Sequence, residues 1–237
     1  MHSGRKPCAA FQAVLFDLDG TLLETVPDLA EAANRMLASM GRPALPVELI
    51  ATFVGRGIGR LVERVLAGSR DGRPEAAVVK PALALFEVFY AEESGRRSIP
   101  YPGVNAALAR LHAGGVPMAV VTNKAAAFTR PLLAATGLLP YFSSVVSGDT
   151  LPWKKPDPRP VLHALEELCI APAQALFVGD SIHDVQAARG AGCEVWCVPY
   201  GYNEGQAIAA SGCDRMVAGL EEVADRVLGV VIGDTKG

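Results

Sequence analysis

The sequence lacks paired cysteines, long apolar runs and an excess of charge, and each of these absences argues against a class of protein. Its 237 residues include five cysteines, none in a CxxC pair, and an odd number cannot all be joined within one chain. A disulfide scaffold is therefore not indicated, and we expect reduced thiols in a cytoplasmic protein. No apolar stretch approaches the roughly 20 residues needed to cross a bilayer, so no membrane partner is expected.

The sequence also has no large excess of positive or negative charge. The formal net charge is −3, which gives no reason to expect nucleic acid or an acidic membrane surface as a partner. Half of the residues are hydrophobic and a fifth are charged, as in a globular protein with a sizeable core. The segment 1–8 carries basic residues without an apolar stretch and cleavage site behind them, so we expect a disordered tail rather than a signal.

Short apolar runs alternate with helical patterns through much of the chain. After a first run at 13–16, further runs lie at 118–121, 144–147, 175–178 and 195–198, with helical patterns between the later ones. Short apolar runs of this kind are typical of strands that are buried on both faces. Their alternation with helices predicts parallel strands joined by right-handed crossovers.

Between the first two runs the chain shows helical patterns only. Residues 25–97 contain no convincing strand and indicate an inserted helical module. We therefore predict an α/β protein: a doubly wound, Rossmann-like parallel sheet from residues 1–24 and 98–237, with an inserted α-helical domain from residues 25–97. Pro81 lies within the last helical pattern of the insert and leaves open whether that pattern forms one helix or two.

Polar residues follow four of the apolar runs. In chain order they are Asp17 and Asp19; Thr122 and Asn123; Lys154 and Lys155; and Asp180 with Asp184. Ligands of an open parallel sheet bind beyond the carboxyl ends of its strands. We therefore expect these four groups to meet at one edge of the sheet.

The four carboxylates among them predict a magnesium site. Converging carboxylates raise one another's pKa, and a hard divalent cation relieves the repulsion. A calcium loop is not indicated, since Thr21 stands where that pattern needs a further acid. A structural role is also open for Asp180 and Asp184, which can cap the helix expected from Ile182. Capping and metal binding are compatible.

The remaining groups suit a phosphate ester. Thr122 and Asn123 precede a helix N-terminus, where N–H groups attract anions, and Lys155 can neutralise a phosphate oxygen. Each also has an ordinary interpretation, as a helix cap or a solvated loop lysine. Asp17 and Asp19 are two residues apart and point the same way in extended backbone. One can act as nucleophile and the other as acid and base.

Taken in order, the segments Asp17-x-Asp19-Gly20-Thr21, Thr122-Asn123, Lys155-Pro156 and Gly179-Asp180-x-x-x-Asp184 resemble the haloacid dehalogenase superfamily of magnesium-dependent phosphatases. The resemblance implies that Asp17 is the nucleophile and Asp19 the acid and base. It implies magnesium ligation by the carboxylates of Asp17 and Asp180 and the backbone carbonyl of Asp19, supported by Asp184.

The same resemblance implies that Thr122, Asn123 and Lys155 hold the phosphate, with Lys154 as the competing lysine. The helical insert matches the cap that closes over the substrate in this superfamily.

Further segments, including 148–158 and 199–203, look like those of bacterial phosphoglycolate phosphatases, which implies hydrolysis of 2-phosphoglycolate. Glu24-Thr25 departs from that pattern, which more often has Asp-Ser there, and slightly weakens the substrate prediction. The substrate carboxylate needs a cation or donor from the cap. Arg56 and Arg60 are candidates, although both can equally be solvated arginines at a helix start.

Other functions stay open at this stage. A related phosphatase or phosphomutase acting on a sugar phosphate would share the core residues, and a non-catalytic module that binds phosphorylated ligands is less favoured because the acids needed for chemistry are present. The expected partner is a small phosphate ester. A monomer and a homodimer are both compatible with the sequence.

Overall fold

The computed structural model describes residues 11–230, so Cys8 and the expected tail at 1–8 lie outside the described residues. The strands in this range are β1 (Ala13–Phe16), β2 (Leu23–Glu24), β3 (Ile99–Pro100), β4 (Met118–Val121), β5 (Ser144–Val146), β6 (Ala175–Gly179), β7 (Glu194–Cys197) and β8 (Arg215–Met216). The helices are α1 (Val26–Ser39), α2 (Val47–Ala51), α3 (Ile58–Ala67), α4 (Ala76–Glu93), α5 (Val104–Ala113), α6 (Ala126–Ala135), α7 (Arg159–Leu168), α8 (Ile182–Ala191) and α9 (Leu220–Val227).

Six strands form a parallel sheet in the order β5-β4-β1-β6-β7-β8. Strand β1 lies inside the sheet between β4 and β6, and each of its residues is buried. The order runs outward from β1 in both directions, which is the arrangement of a doubly wound fold. The predicted α/β class is confirmed.

Alternate residues of the strands face two different cores. Val14 and Phe16 belong to a cluster with residues of α5 and α9, whereas Leu15 belongs to a cluster with residues of α7 and α8. Helices therefore cover both faces of the sheet, which explains why the strands are continuous apolar runs rather than alternating ones.

The helices α1 to α4 have a core of their own. Their buried side chains, among them Met36, Val62 and Phe86, form a third cluster separate from the two on the sheet. The helical pattern around Pro81 is one helix, α4, and not two. Pro81 and Ala77 are both exposed, so the carbonyl that loses its hydrogen bond to the proline can be hydrated.

A small antiparallel pair escaped the sequence analysis. Strand β2 pairs with β3, and Glu24 lies opposite Ile99. The two strands stand at the entry to and the exit from the helical segment, so the chain leaves and returns at adjacent points. Runs of two residues carry too little periodicity to be recognised in a sequence. None of the helices described between residues 11 and 230 is both long and apolar enough to cross a membrane.

Asp28, in the first turn of α1, binds the segment 95–98, where the chain returns from the helical segment to the sheet. Its carboxylate accepts hydrogen bonds from the backbone N–H groups of Gly95, Arg97 and Ser98, at 2.9, 2.9 and 3.0 Å, and from the Ser98 hydroxyl at 2.6 Å. Asp28 is fully buried. This one side chain therefore satisfies three backbone donors at the junction between the helical segment and the sheet.

Replacing Asp28 with alanine is expected to lower the free energy of unfolding by about 3 kcal/mol, because the buried N–H and hydroxyl of Ser98 and two part-buried N–H groups would lose this acceptor. Chemical denaturation followed by circular dichroism measures the change. Asp71→Ala is the matched control, since Asp71 is exposed and a surface substitution is expected to change stability by less than about 0.5 kcal/mol. Equal stability of the two variants would contradict the role given to Asp28.

Candidate active site

Asp17 follows the last residue of β1 directly, and the sheet fixes its backbone. The Asp17 N–H donates to the carbonyl oxygen of Val178 on the neighbouring strand at 2.9 Å. The turn that follows requires glycine at position 20, where φ is +87° and a Cβ atom would lie 2.4 Å from Asp180 Oδ2. The close approach of Gly20 to Asp180 brings the ends of β1 and β6 together.

Three buried carboxylates meet at these strand ends. One oxygen from each of Asp17, Asp180 and Asp184 lies within 4.8 Å of the others. Lys155 Nζ lies 2.7 Å from Asp17 Oδ1 and 2.7 Å from Asp184 Oδ1. The predicted convergence of the first, third and fourth polar groups is therefore present in the structure.

Burial and mutual repulsion change the acidity of this cluster. Burial raises the pKa of Asp17 to about 7, with a further upward contribution from Asp184, although the Lys155 ammonium opposes both. Burial and the charges of Asp184 and Asp17 raise the pKa of Asp180 well above its ordinary value. A cation beside Asp17 and Asp180 would favour their ionised forms, and the Lys155 ammonium supplies part of that charge.

Asp184 combines two roles that the sequence left open. Its Oδ2 accepts hydrogen bonds from the backbone N–H of Ser181 at 3.0 Å and from the Ser181 hydroxyl at 2.7 Å, which closes a capping box at the start of α8. Its Oδ1 faces Lys155. Asp184 therefore caps the helix with one oxygen and reaches the carboxylate cluster with the other.

Asp19 is held by two donors on a single oxygen. The Thr25 hydroxyl donates to Asp19 Oδ1 at 2.6 Å, and Lys124 Nζ lies 3.0 Å from the same atom. Among the described residues, no hydrogen bond or ion pair engages Oδ2 of Asp19, so this oxygen is available to a ligand in the cavity. Thr25, one of the two residues that depart from the family pattern, therefore contacts Asp19 through its hydroxyl.

Lys124 was missed by the sequence analysis. It is buried, lines the same cavity as Asp19 and also donates to the Tyr90 hydroxyl of α4 at 2.7 Å. The available signal was its position directly after Thr122-Asn123, at the end of a strand and before a helix. A charged residue there belongs to the rim of the sheet and not to the helix surface.

Thr122 and Asn123 lie at the same cavity as Lys124 but form hydrogen bonds with different partners. The Thr122 hydroxyl accepts from the backbone N–H of Lys124 at 3.2 Å. The Asn123 side-chain amide donates to the carbonyl oxygens of Gly55 and Lys155 at 2.9 and 3.0 Å, which joins the helical segment to the lysine loop. Both residues line the cavity.

One cavity contains all of the core residues predicted for the site. Its walls combine residues from the strand ends and from the helical segment. They are Asp17, Asp19, Leu29, Val54, Gly55, Gly57, Ile58, Leu61, Thr122, Asn123, Lys124, Lys155, Asp180, Ser181, Asp184, Tyr202 and Asn203. Of the two competing lysines, Lys155 lines the cavity and Lys154 is exposed outside it.

The side chains of Arg56 and Arg60 are not part of the cavity wall, although Gly55 and Gly57 on either side of Arg56 are. Arg56 Nε lies 3.0 Å from Glu204 Oε1, and half of the Arg56 side chain is exposed. Arg60 pairs with Glu63 and donates to the carbonyl oxygens of Arg70 and Gly72, all within the helical segment. Neither arginine is among the cavity residues, because acidic and carbonyl groups elsewhere engage both guanidinium groups.

A loop after β7 completes the site and was given no role from the sequence. The Tyr202 N–H donates to Asp180 Oδ2 at 2.6 Å. The Tyr202 hydroxyl accepts from the backbone N–H groups of Thr25 and Val26 at 2.8 and 3.1 Å. Tyr202 therefore connects the carboxylate cluster to the start of the helical segment.

A parallel sheet that presents carboxylates and a lysine at its strand ends is typical of one class of hydrolases. Comparison with known proteins places the chain in that class. Residues 14–198 match the family described as haloacid dehalogenase-like hydrolase. The chain belongs to this family and is an enzyme of it.

Individual relatives are similar over nearly the whole chain. A protein named phosphoglycolate phosphatase from Nitrosospira multiformis is 53% identical over 211 residues, which cover 89% of this chain and 93% of the relative. One of the same name from Thiobacillus denitrificans is 50% identical over 213 residues, covering 90% and 94%. A crystal structure described as a predicted phosphoglycolate phosphatase from Haemophilus somnus superposes with a TM-score of 0.85 at 34% identity, covering 90% of this chain and 96% of that one.

Proposed function

We propose that the protein hydrolyses 2-phosphoglycolate to glycolate and phosphate, with Asp17 as the nucleophile. The observation that carries the proposal is the placement of Asp17, Asp19 and Lys155 in one cavity at the end of β1, with Lys155 Nζ 2.7 Å from Asp17 Oδ1. The choice of substrate is supported by the relatives named phosphoglycolate phosphatase.

Each step uses a residue of the cavity. Lys155 and Thr122 bind phosphoryl oxygens and place phosphorus against Asp17, with Asn123 fixing the loops around them. An Asp17 oxygen attacks phosphorus, the ester P–O bond breaks, and Asp19 gives a proton to the leaving oxygen of glycolate. Asp19 then takes a proton from water, the water oxygen attacks phosphorus, and the bond to Asp17 breaks to release phosphate.

The donor set of the site fits Mg²⁺. Three buried carboxylates, those of Asp17, Asp180 and Asp184, supply hard oxygen ligands. Burial and neighbouring negative charge raise the pKa of Asp17 and of Asp180, as expected of a site that a cation would stabilise. We propose that the carboxylates of Asp17 and Asp180 and the backbone carbonyl of Asp19 hold the ion, with Asp184 in support. When bound, Mg²⁺ neutralises charge on the phosphoryl group.

We further propose that residues 25–97 act as a cap over residues 1–24 and 98–237. Leu29, Val54, Ile58 and Leu61 bring apolar surface from this segment to the cavity wall, which would keep water from the reacting phosphoryl group.

A cytoplasmic location belongs to the same proposal. The cysteines in the described part of the chain are free thiols, as in a reducing compartment. For the oligomeric state, the prediction is still that the protein is a monomer or a homodimer.

Release of inorganic phosphate from a panel of phosphate esters tests this function. The panel contains 2-phosphoglycolate, ethyl phosphate and several sugar phosphates, each with Mg²⁺ and with a chelator. We expect kcat/KM to be highest for 2-phosphoglycolate, and activity to disappear with the chelator and return with Mg²⁺. Equal turnover of 2-phosphoglycolate and bulky sugar phosphates would contradict the substrate, and full activity with the chelator would contradict the metal.

A further inference from the structure

The cavity contains a second buried ammonium group besides that of Lys155. The side chain of Lys124 is 2% exposed, and its Nζ lies 3.0 Å from Asp19 Oδ1. Its other described contact is the hydrogen bond to the Tyr90 hydroxyl at 2.7 Å. A lysine ammonium has three donors. Within the described residues, these contacts leave one N–H of Lys124 for a ligand in the cavity that it lines.

The Lys124 ammonium has both an acidic and a neutral partner in this environment. Its Nζ lies 3.0 Å from Asp19 Oδ1 and donates to the Tyr90 hydroxyl. A buried charge is costly unless it is well paired. Asp19 and Lys124 are paired in this structure, so a fixed positive charge stands beside the proposed proton donor.

The position of this charge relative to the reaction defines what it can bind. Asp19 delivers its proton to the ester oxygen that leaves, so a group in contact with Asp19 lies next to the leaving part of the substrate. In 2-phosphoglycolate a single methylene separates that oxygen from the carboxylate. The carboxylate is therefore brought to the side of the cavity where Lys124 lies, while Lys155 faces Asp17 and the phosphoryl group.

We propose that Lys124 binds the substrate carboxylate and selects phosphate esters that carry a carboxylate one methylene away from the ester oxygen. The proposal rests on the proposed function and names the residue that gives it its substrate preference. It replaces the expectation for Arg56 and Arg60, whose guanidinium groups pair outside the cavity. Tyr90 has a positioning role, because its hydroxyl comes from α4 and holds the Lys124 ammonium from the side of the helical segment.

The test compares two substrates of the same carbon skeleton, 2-phosphoglycolate and ethyl phosphate, which lacks the carboxylate. In Lys124→Met we expect kcat/KM to fall for both, since Asp19 loses a partner, but the ratio of 2-phosphoglycolate to ethyl phosphate should fall by about tenfold or more. Lys80→Met is the matched control, because Lys80 is an exposed lysine of α4 that does not line the cavity, and it should keep the wild-type ratio. Tyr90→Phe keeps the Lys124 charge and should lower the ratio by about threefold.

The possible results separate the two proposals. A wild-type ratio near one would count against 2-phosphoglycolate as the substrate, before any variant is considered. A high wild-type ratio that Lys124→Met and Tyr90→Phe both leave unchanged would overturn the role of Lys124, because a group that acts only through Asp19 lowers both activities together. If Lys124→Met does not fold, Tyr90→Phe decides by the same ratio.

Discussion

Asp17→Asn is expected to lower kcat for phosphate release from 2-phosphoglycolate by at least about a thousandfold, because an amide cannot form the bond to phosphorus that the carboxylate forms. The substitution keeps the size of the side chain at the end of β1. It removes one negative charge from a cluster in which burial and Asp184 already raise the pKa of Asp17. The folded state should therefore be retained or slightly stabilised in the absence of metal.

Two measurements separate this loss of chemistry from a loss of structure. Thermal unfolding should show that Asp17→Asn is folded, and equilibrium binding should show that it still takes up inorganic phosphate. A variant that retains metal-dependent phosphatase activity near the wild-type value would contradict the role of Asp17.

Lys155→Met is expected to have the second largest effect. Lys155 Nζ lies 2.7 Å from both Asp17 Oδ1 and Asp184 Oδ1, so its loss leaves buried carboxylates without their counter-charge. We expect kcat/KM to fall by about a hundredfold or more, since a charge that neutralises the phosphoryl oxygens is gone. The free energy of unfolding should fall by about 3 kcal/mol in a chelator.

Mg²⁺ provides a second readout for the same variant. A cation that binds the carboxylates should stabilise the folded state of Lys155→Met as its concentration rises, and by more than it stabilises the wild type. Lys154→Met is the comparison for this variant, because Lys154 is the competing lysine, is exposed and is not among the cavity residues. Losses of activity and stability in Lys154→Met as large as those in Lys155→Met would contradict the assignment of the lysine.

The sequence was sufficient for the sheet and for the core of the site because both follow from local patterns. The apolar run at 13–16 predicted a buried strand, and the strand lies inside the sheet. Since parallel strands end at a common edge, the residues that follow them must meet there. Asp17, Lys155, Asp180 and Asp184 could be grouped in this way without knowledge of any side-chain conformation.

What the sequence did not reveal depends on contacts between distant residues. Arg56 looked available for a ligand, but it pairs with Glu204, which is far away in the chain and reaches Arg56 through the loop after β7. Asp28 stands near the start of α1, and its hydrogen bonds to residues 95–98 depend on the return of the chain about 70 residues later. Lys124 received no role from the sequence, and its position in the cavity depends on a hydrogen bond to Tyr90 from α4.

The most direct test of the central claim is a search for phosphate bound covalently to the protein during turnover. Wild-type protein is mixed with Mg²⁺ and 2-phosphoglycolate that carries a radioactive phosphorus atom. The reaction is quenched in acid within the first turnover, and the protein is digested. We expect label on the peptide that contains Asp17, lost on treatment with hydroxylamine as an acyl phosphate should be, and no label in Asp17→Asn. Label on a peptide without Asp17, or rapid phosphate release with no labelled protein at any quench time, would contradict the account.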